Sequence, residues 1–95
     1  MRAIRWSREA RADLTEIDDC YRPLNADYAR RIGRKAIAAS GFLALHPGAG
    51  ELLPDRLIRK WRVAGTPYLI LYRVEGSNLR VVRLIHAARD WTNFV

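Results

Sequence analysis

The chain has 95 residues, 49% of them hydrophobic, with 17 basic against 10 acidic side chains and a formal net charge of +7. That length suits one small domain, expected over residues 1–95; the apolar fraction excludes a disordered chain, and no apolar run approaches the roughly 18–20 residues of a membrane span. The cations are fifteen arginines and two lysines, and because guanidinium forks hold carboxylates and phosphates bidentately, the bias points to an acidic protein surface or a nucleic-acid backbone as partner.

The opening Met1-Arg-Ala-Ile-Arg-Trp6 is basic and lacks the apolar stretch of a secretory signal, so a cytoplasmic location is expected. Arg2 to Trp6 is a short strand candidate, and Trp6 is expected in the core. Ser7 is placed to cap a helix with Glu9 in its first turn, where a carboxylate complements the helix dipole. Ala10, Leu14, Ile17 and Tyr21 form one apolar stripe, which predicts a helix from Arg8 to about Tyr21, ended by Pro23. Asp13, Glu16, Asp18 and Asp19 on that helix read as a solvated face paired with Arg8, Arg11 and Arg22. The single Cys20 has no disulfide partner and no zinc-site neighbours, and is expected to be a small buried hydrophobe.

Asn25 can cap a second helix, with Tyr28, Ile32, Ala36, Ala39 and Leu43 at helical spacing up to His46-Pro-Gly48. The short connection predicts an antiparallel helical hairpin. Charge is uneven across it, with six acids against two bases in residues 9–29 and then Arg30, Arg31, Arg34 and Lys35 without an acid. Residues 46–54 read as a loop. From Arg56 to Val63, Leu57, Arg59, Trp61 and Val63 alternate with Arg56, Ile58, Lys60 and Arg62, which predicts a strand with an apolar inner face holding Trp61 and a basic outer face. Ala64 to Pro67 turns the chain into a strand from Tyr68 to Val74, Glu75-Gly-Ser-Asn78 turns it again, and Leu79 to Ile85 completes a meander. The expected class is α+β in the order β-α-α-β-β-β, a small antiparallel sheet packed on the helical hairpin.

Arg80 and Arg83 stand three apart in the last strand, so regular alternation sends them to opposite faces and one of them toward the packed side. Such a conflict marks Arg83 as a functional candidate. The residues support no metal site and no phosphate-binding glycine loop, and no cofactor is expected. His86 beside Arg83 and Arg89 could run metal-free RNA cleavage by acid–base chemistry with arginines on the phosphate, or could be a hydrogen-bonded structural histidine. Arg30, Arg31 and Arg34 on one helical flank, and Arg56, Ile58 and Lys60 on the outer strand face, are candidates for binding a partner. Trp91, past the last strand beside Arg89 and Asp90, either anchors the tail or serves as an interface hot spot.

Taken together, Trp6-Ser-Arg-Glu-Ala10, Asp13-Leu14-x-x-Ile17, Ala36-Ile37, His46-Pro47-Gly48, Gly65-Thr-Pro-Tyr-Leu-Ile-Leu-Tyr-Arg73 and His86-Ala-Ala-Arg-Asp-Trp91 give a chain that resembles the RelE/ParE superfamily of type II toxin–antitoxin toxins over nearly its full length, closest to the ParE branch. The resemblance implies a plasmid-stabilisation or growth-inhibition toxin that poisons DNA gyrase and acts without enzymatic chemistry. It also implies a ParD-like antitoxin that wraps the toxin in a heterotetramer or larger complex. The RelE branch, a ribosome-dependent mRNA endonuclease, is the alternative. It resembles a site of clustered lysines and arginines with a C-terminal tyrosine, whereas this chain has only Lys35 and Lys60, and Phe94 at its end, which favours gyrase. On this resemblance Arg59, Arg62, Arg83, His86, Arg89, Asp90 and Trp91 form the target-binding surface, and Arg30, Arg31, Arg34, Arg56, Ile58 and Lys60 the antitoxin-binding one. A third reading is a basic nucleic-acid-binding module, but direct specific nucleic-acid binding by the toxin alone is not expected.

Overall fold

The computed structural model describes residues 2–54 and 56–89. The chain runs β1 (Ala3–Trp6), α1 (Arg8–Tyr21), α2 (Ala26–Leu45), β2 (Glu51–Leu52), β3 (Arg59–Arg62), β4 (Tyr68–Glu75) and β5 (Asn78–His86). Both helix starts form as their caps predict: the Ser7 hydroxyl accepts from the Ala10 N–H at 2.9 Å and the Asn25 side chain from the Tyr28 N–H at 3.0 Å. Each cap satisfies one of the amide donors that a helix start leaves free. No helix among the described residues is long and apolar enough to cross a membrane.

The five strands make one sheet in the order β1-β5-β4-β3-β2. β2 to β5 form an antiparallel meander, but β1 pairs with β5 in parallel, so the sheet is mixed rather than wholly antiparallel as expected. The helical hairpin is the reason. It carries the chain from the β1 edge across one face to the far edge, so β1 meets the last strand of the meander and not the first. The segment read as a loop before Pro54 contains β2, whose partner is β3.

Ala10 and Ile17 of α1 with Ile32, Ala36 and Leu43 of α2 close over Ile70, Tyr72, Leu79 and Val81 of the sheet, and Trp6 and Trp61 pack against this core partly buried. The Trp61 ring stacks on Phe42 of α2 with centroids 5.4 Å apart. A second apolar cluster, Leu53, Ile58, Leu71 and Ile85 with Leu69, lies on the face of the sheet turned away from the helices.

That second cluster overturns part of the alternation in residues 56–63. The strand begins only at Arg59; Leu57, expected inside, is 86% exposed, and Ile58, expected on the open basic face, is 8% exposed. The Leu53 N–H donates to the Ile58 carbonyl at 2.9 Å, closing a turn that folds both side chains down onto Leu71 and Ile85. Burying apolar area there outweighs continuing the pleat. Cys20, expected to be buried, is exposed near the C-terminal end of α1.

The Arg80–Arg83 conflict is resolved by a β-bulge. Tyr72 is opposite Val81 while Leu71 is opposite Arg83, which leaves Val82 as the extra residue. Arg80 lies opposite Arg73 and Arg83 opposite Leu71, so the two arginines share the face away from the helices and neither enters the main core. The bulge lets Leu79, Val81 and Leu84 all face the helical hairpin despite their uneven spacing. Ser7 fastens it: its N–H donates to the Val81 carbonyl at 2.9 Å and its hydroxyl to the Val82 carbonyl at 2.7 Å.

Candidate functional site

β1 ends at Trp6 while β5 runs on to His86, so among the described residues the end of β5 has no strand on that side. Asp13 takes the place of one. Its carboxylate accepts from the Leu84 N–H at 3.0 Å and holds the Arg83 guanidinium through Nε at 2.7 Å and Nη2 at 2.8 Å. The pair is largely withdrawn from water, with side-chain exposures of 23% for Arg83 and 11% for Asp13. Hydrogen bonding to Asp13 raises the Arg83 pKa above its ordinary value, against the opposing effect of burial. Asp13 is therefore not part of a solvated face, although Asp18 does pair with Arg22 as expected, at 2.8 Å. The sequence held a signal for it: Asp13 stands three residues after Ala10 and four before Ile17, the two buried residues of α1.

Beyond Arg83 the chain is pinned at its turn. The Ala87 N–H donates to the Pro67 carbonyl at 2.7 Å, and the Arg89 N–H to the His86 carbonyl at 2.9 Å. His86 Nδ1 accepts from the Ala88 N–H at 3.1 Å, which leaves the ring proton on Nε2. The ring stands edge-on to Tyr68, with centroids 5.5 Å apart. A cavity of about 170 Å³ opens here between α1 and the end of β5, lined by Asp13, Glu16, Cys20, Tyr68, His86 and Arg89 among others.

Tyr68 also lines this cavity, where sequence reasoning saw only a strand aromatic. Its hydroxyl meets that of Tyr21 at 3.4 Å, and burial first, then this bond, raises its pKa well above the ordinary tyrosine value. A folded-state pKa above the unfolded one means the folded chain holds this proton more tightly. The associated stability is complete below the unfolded value of about 10 and is lost as pH rises through and beyond it. Urea midpoints measured from pH 8 to 11 should therefore fall on the alkaline side, and Tyr68→Phe should flatten that fall; an unchanged alkaline slope in the variant would remove Tyr68 as its source.

The structure thus brings Arg83, His86 and Arg89 together around one cavity that neither arginine of β3 lines. Arg59 faces the helix side, where its Nη1 donates to the Gly50 carbonyl at 2.7 Å and holds the loop before β2. Arg62 folds back on its own turn, its Nε donating to the Thr66 carbonyl at 2.8 Å. Asp90 and Trp91 lie outside the described residues. Of the residues assigned to a partner, Arg30 pairs with Asp27, Lys60 pairs with Glu51 at 3.4 Å, Arg31, Arg34 and Arg56 are exposed, and the buried Ile58 offers no side chain to a partner. No group of three or more His, Cys, Asp or Glu among the described residues is arranged to hold a metal ion.

A helical hairpin over one face of a small mixed sheet, with cations gathered where the last strand ends, defines a small basic α+β domain of the toxin type that the motifs resemble. Residues 4–91 match the family described as ParE toxin of type II toxin-antitoxin system, parDE, and the chain belongs to that family. It is 34% identical to Toxin RelE2 of Caulobacter vibrioides over 89 residues, covering 94% of this chain and 99% of that one. To Putative toxin Y4kP of Sinorhizobium fredii it is 28% identical over 88 residues, covering 93% and 91% of the two chains. A chain of the solved chromosomal ParDE TA system from P. aeruginosa superposes with a TM-score of 0.79 at 25% identity, covering 90% of this chain and 96% of the other.

Proposed function

We propose that this toxin acts by binding DNA gyrase through the surface around Arg83, His86 and Arg89, and that a ParD-like antitoxin neutralises it by direct contact. The observation that carries the gyrase reading over RNA cleavage is the engagement of Arg83. Both of its donors toward α1 are held by Asp13, and the cavity beside His86 is lined by Asp13 and Glu16 as well as by arginine. A phosphate would meet carboxylates there, whereas a protein surface of mixed charge would find complementary groups. Tyr68 beside His86 holds its proton more tightly than an ordinary tyrosine, which makes it a poor second group for acid–base cleavage at neutral pH.

For the antitoxin, the groove between the helices fits a segment of matching chemistry. It has a volume of about 410 Å³, an apolar floor of Leu14, Ile17 and Ala29, and a rim on which Arg22 and Arg30 are paired with Asp18 and Asp27 while Arg34 is exposed. Gly33 leaves the floor open, since a Cβ there would meet nothing within 4 Å. An acidic amphipathic helix that orders on binding would bury its apolar side against that floor.

A second reading, mRNA cleavage on the ribosome, is favoured by the name RelE2 borne by the Caulobacter relative. One comparison separates the two. Purified toxin should abolish gyrase supercoiling and accumulate linear DNA, reversibly on adding antitoxin, with His86→Gln close to wild type and Arg89→Ala inactive. Ribosome-dependent mRNA cleavage that His86→Gln lowers by roughly 10²–10⁴-fold, with no effect on gyrase, would replace this proposal by the nuclease reading.

A further inference from the structure

The face of the sheet turned away from the helices carries a row of arginines in cross-strand register. Arg5 of β1 lies opposite Arg80 of β5, and Arg80 lies opposite Arg73 of β4. The residues flanking them along the strands, Ile4 and Trp6, Leu79 and Val81, and Tyr72, point toward the helices, so all three guanidinium groups emerge on the open face. Neighbouring strands are about 4.8 Å apart, so three like charges are held across roughly 10 Å. Like charges placed directly opposite each other destabilise a sheet.

Among the described residues little offsets this. Glu75 pairs with Arg73 at 2.7 Å, but the Arg73 Nε is buried with no hydrogen-bond partner. Among the described residues Arg5 and Arg80 make no ion pair. The face continues with cations beyond the row: Lys60 opposite Leu71 and Arg62 opposite Leu69. The apolar cluster of this face lies around Leu71 and Ile85, whereas the arginine row is set toward the Gly76–Ser77 turn, next to Ala3, Asn78 and Glu75.

We infer that this row binds the phosphate backbone of duplex DNA, without reading its sequence. The observations favour DNA over an acidic protein segment because, among the described residues, the row has charge but no exposed aromatic or aliphatic anchor beside it. Protein interfaces draw their affinity from such anchors, whereas nucleic-acid interfaces are polar and strongly positive. Arginine in place of lysine suits bidentate contact with phosphate oxygens. This contact is separate from the gyrase surface and is measured without gyrase, so its failure would leave the gyrase reading standing.

The test is fluorescence anisotropy of the isolated toxin with a labelled duplex of about 20 base pairs, titrated at several salt concentrations. Wild type should bind with affinity that falls steeply with salt. Replacing all three residues together, Arg5→Gln, Arg73→Gln and Arg80→Gln, should flatten the log–log salt slope by about 2–3, the share of three phosphate contacts. Arg5→Glu alone, at an exposed side chain that folding does not need, should weaken binding by roughly tenfold, while Arg31→Gln on α2 should leave it unchanged. An absence of salt-dependent binding, an unchanged slope in the triple variant, or displacement of the duplex by polyglutamate at equal charge would each overturn the inference, the last by assigning the row to an acidic protein segment.

Discussion

Tyr72→Ala is expected to lower the unfolding free energy by about 3–5 kcal/mol, the cost of removing a fully buried aromatic side chain from a packed core. Tyr72 has no exposed surface and sits among Ile70, Leu79 and Val81 beneath the helices. Its hydroxyl donates to the Pro47 carbonyl at 2.8 Å and accepts from the Gly50 N–H at 2.9 Å, so it also fixes the chain between α2 and β2. The approach is close: a Cβ on Gly50 would come within 2.6 Å of that hydroxyl and 2.8 Å of the Lys60 carbonyl. Tyr72→Phe keeps the ring and orphans the buried Gly50 N–H, for an expected loss of about 1–3 kcal/mol. At about 4–8 °C per kcal/mol for a domain of this size, the alanine variant should melt at least about 12 °C below wild type, with the phenylalanine variant between them. Circular dichroism melts would show it, and a Tyr72→Ala midpoint within a few degrees of wild type would mean that the core is not centred where the structure places it.

Asp13→Ala is expected to be nearly as costly, at about 2–3 kcal/mol. Breaking a buried ion pair from one side costs about 3–5 kcal/mol, and the partial exposure of Arg83 reduces that figure here. The loss has two parts, since Arg83 is left without its carboxylate and the Leu84 N–H without its acceptor. Arg83→Ala should cost less, because Asp13 then keeps the amide and can draw water. A double-mutant cycle in urea should return a coupling energy of roughly 1–2 kcal/mol between the two side chains. Growth inhibition should fall with Asp13→Ala beyond what the lost stability explains, since the bulge and the His86 turn are both aligned through β5. Additive losses from the two single replacements would show that the pair contributes nothing of its own.

How far the sequence can be read depends on whether the deciding interaction is local. The helices are legible because their causes lie within a few residues: Ser7 and Asn25 cap their own first turns, Pro23 stops α1, and the stripes Ala10–Ile17 and Ile32–Leu43 bury faces of their own helices. The β4–β5 hairpin is legible for the same reason, with Gly76 at φ 59° in a two-residue turn. The family is legible because its motifs run in order along most of the chain.

Other features depend on partners distant in sequence. Arg83 meets Asp13 seventy residues away, and an acid on a helix carries no mark of which strand will need it. The bulge at Val82 reverses the alternation beyond it, so period-two counting placed Arg80 and Arg83 on different faces although they share one. Ile58 turned inward and Leu57 outward because the turn closed by Leu53 and Ile58 could cover Leu71 and Ile85. By itself the sequence determined the helices, the β4–β5 hairpin, the family and the excess of arginine, because each follows from local pattern or composition. Only the tertiary structure decided which arginines are held by a distant carboxylate and which line up across the open face, because that depends on strand register and on carboxylates brought in from elsewhere in the chain.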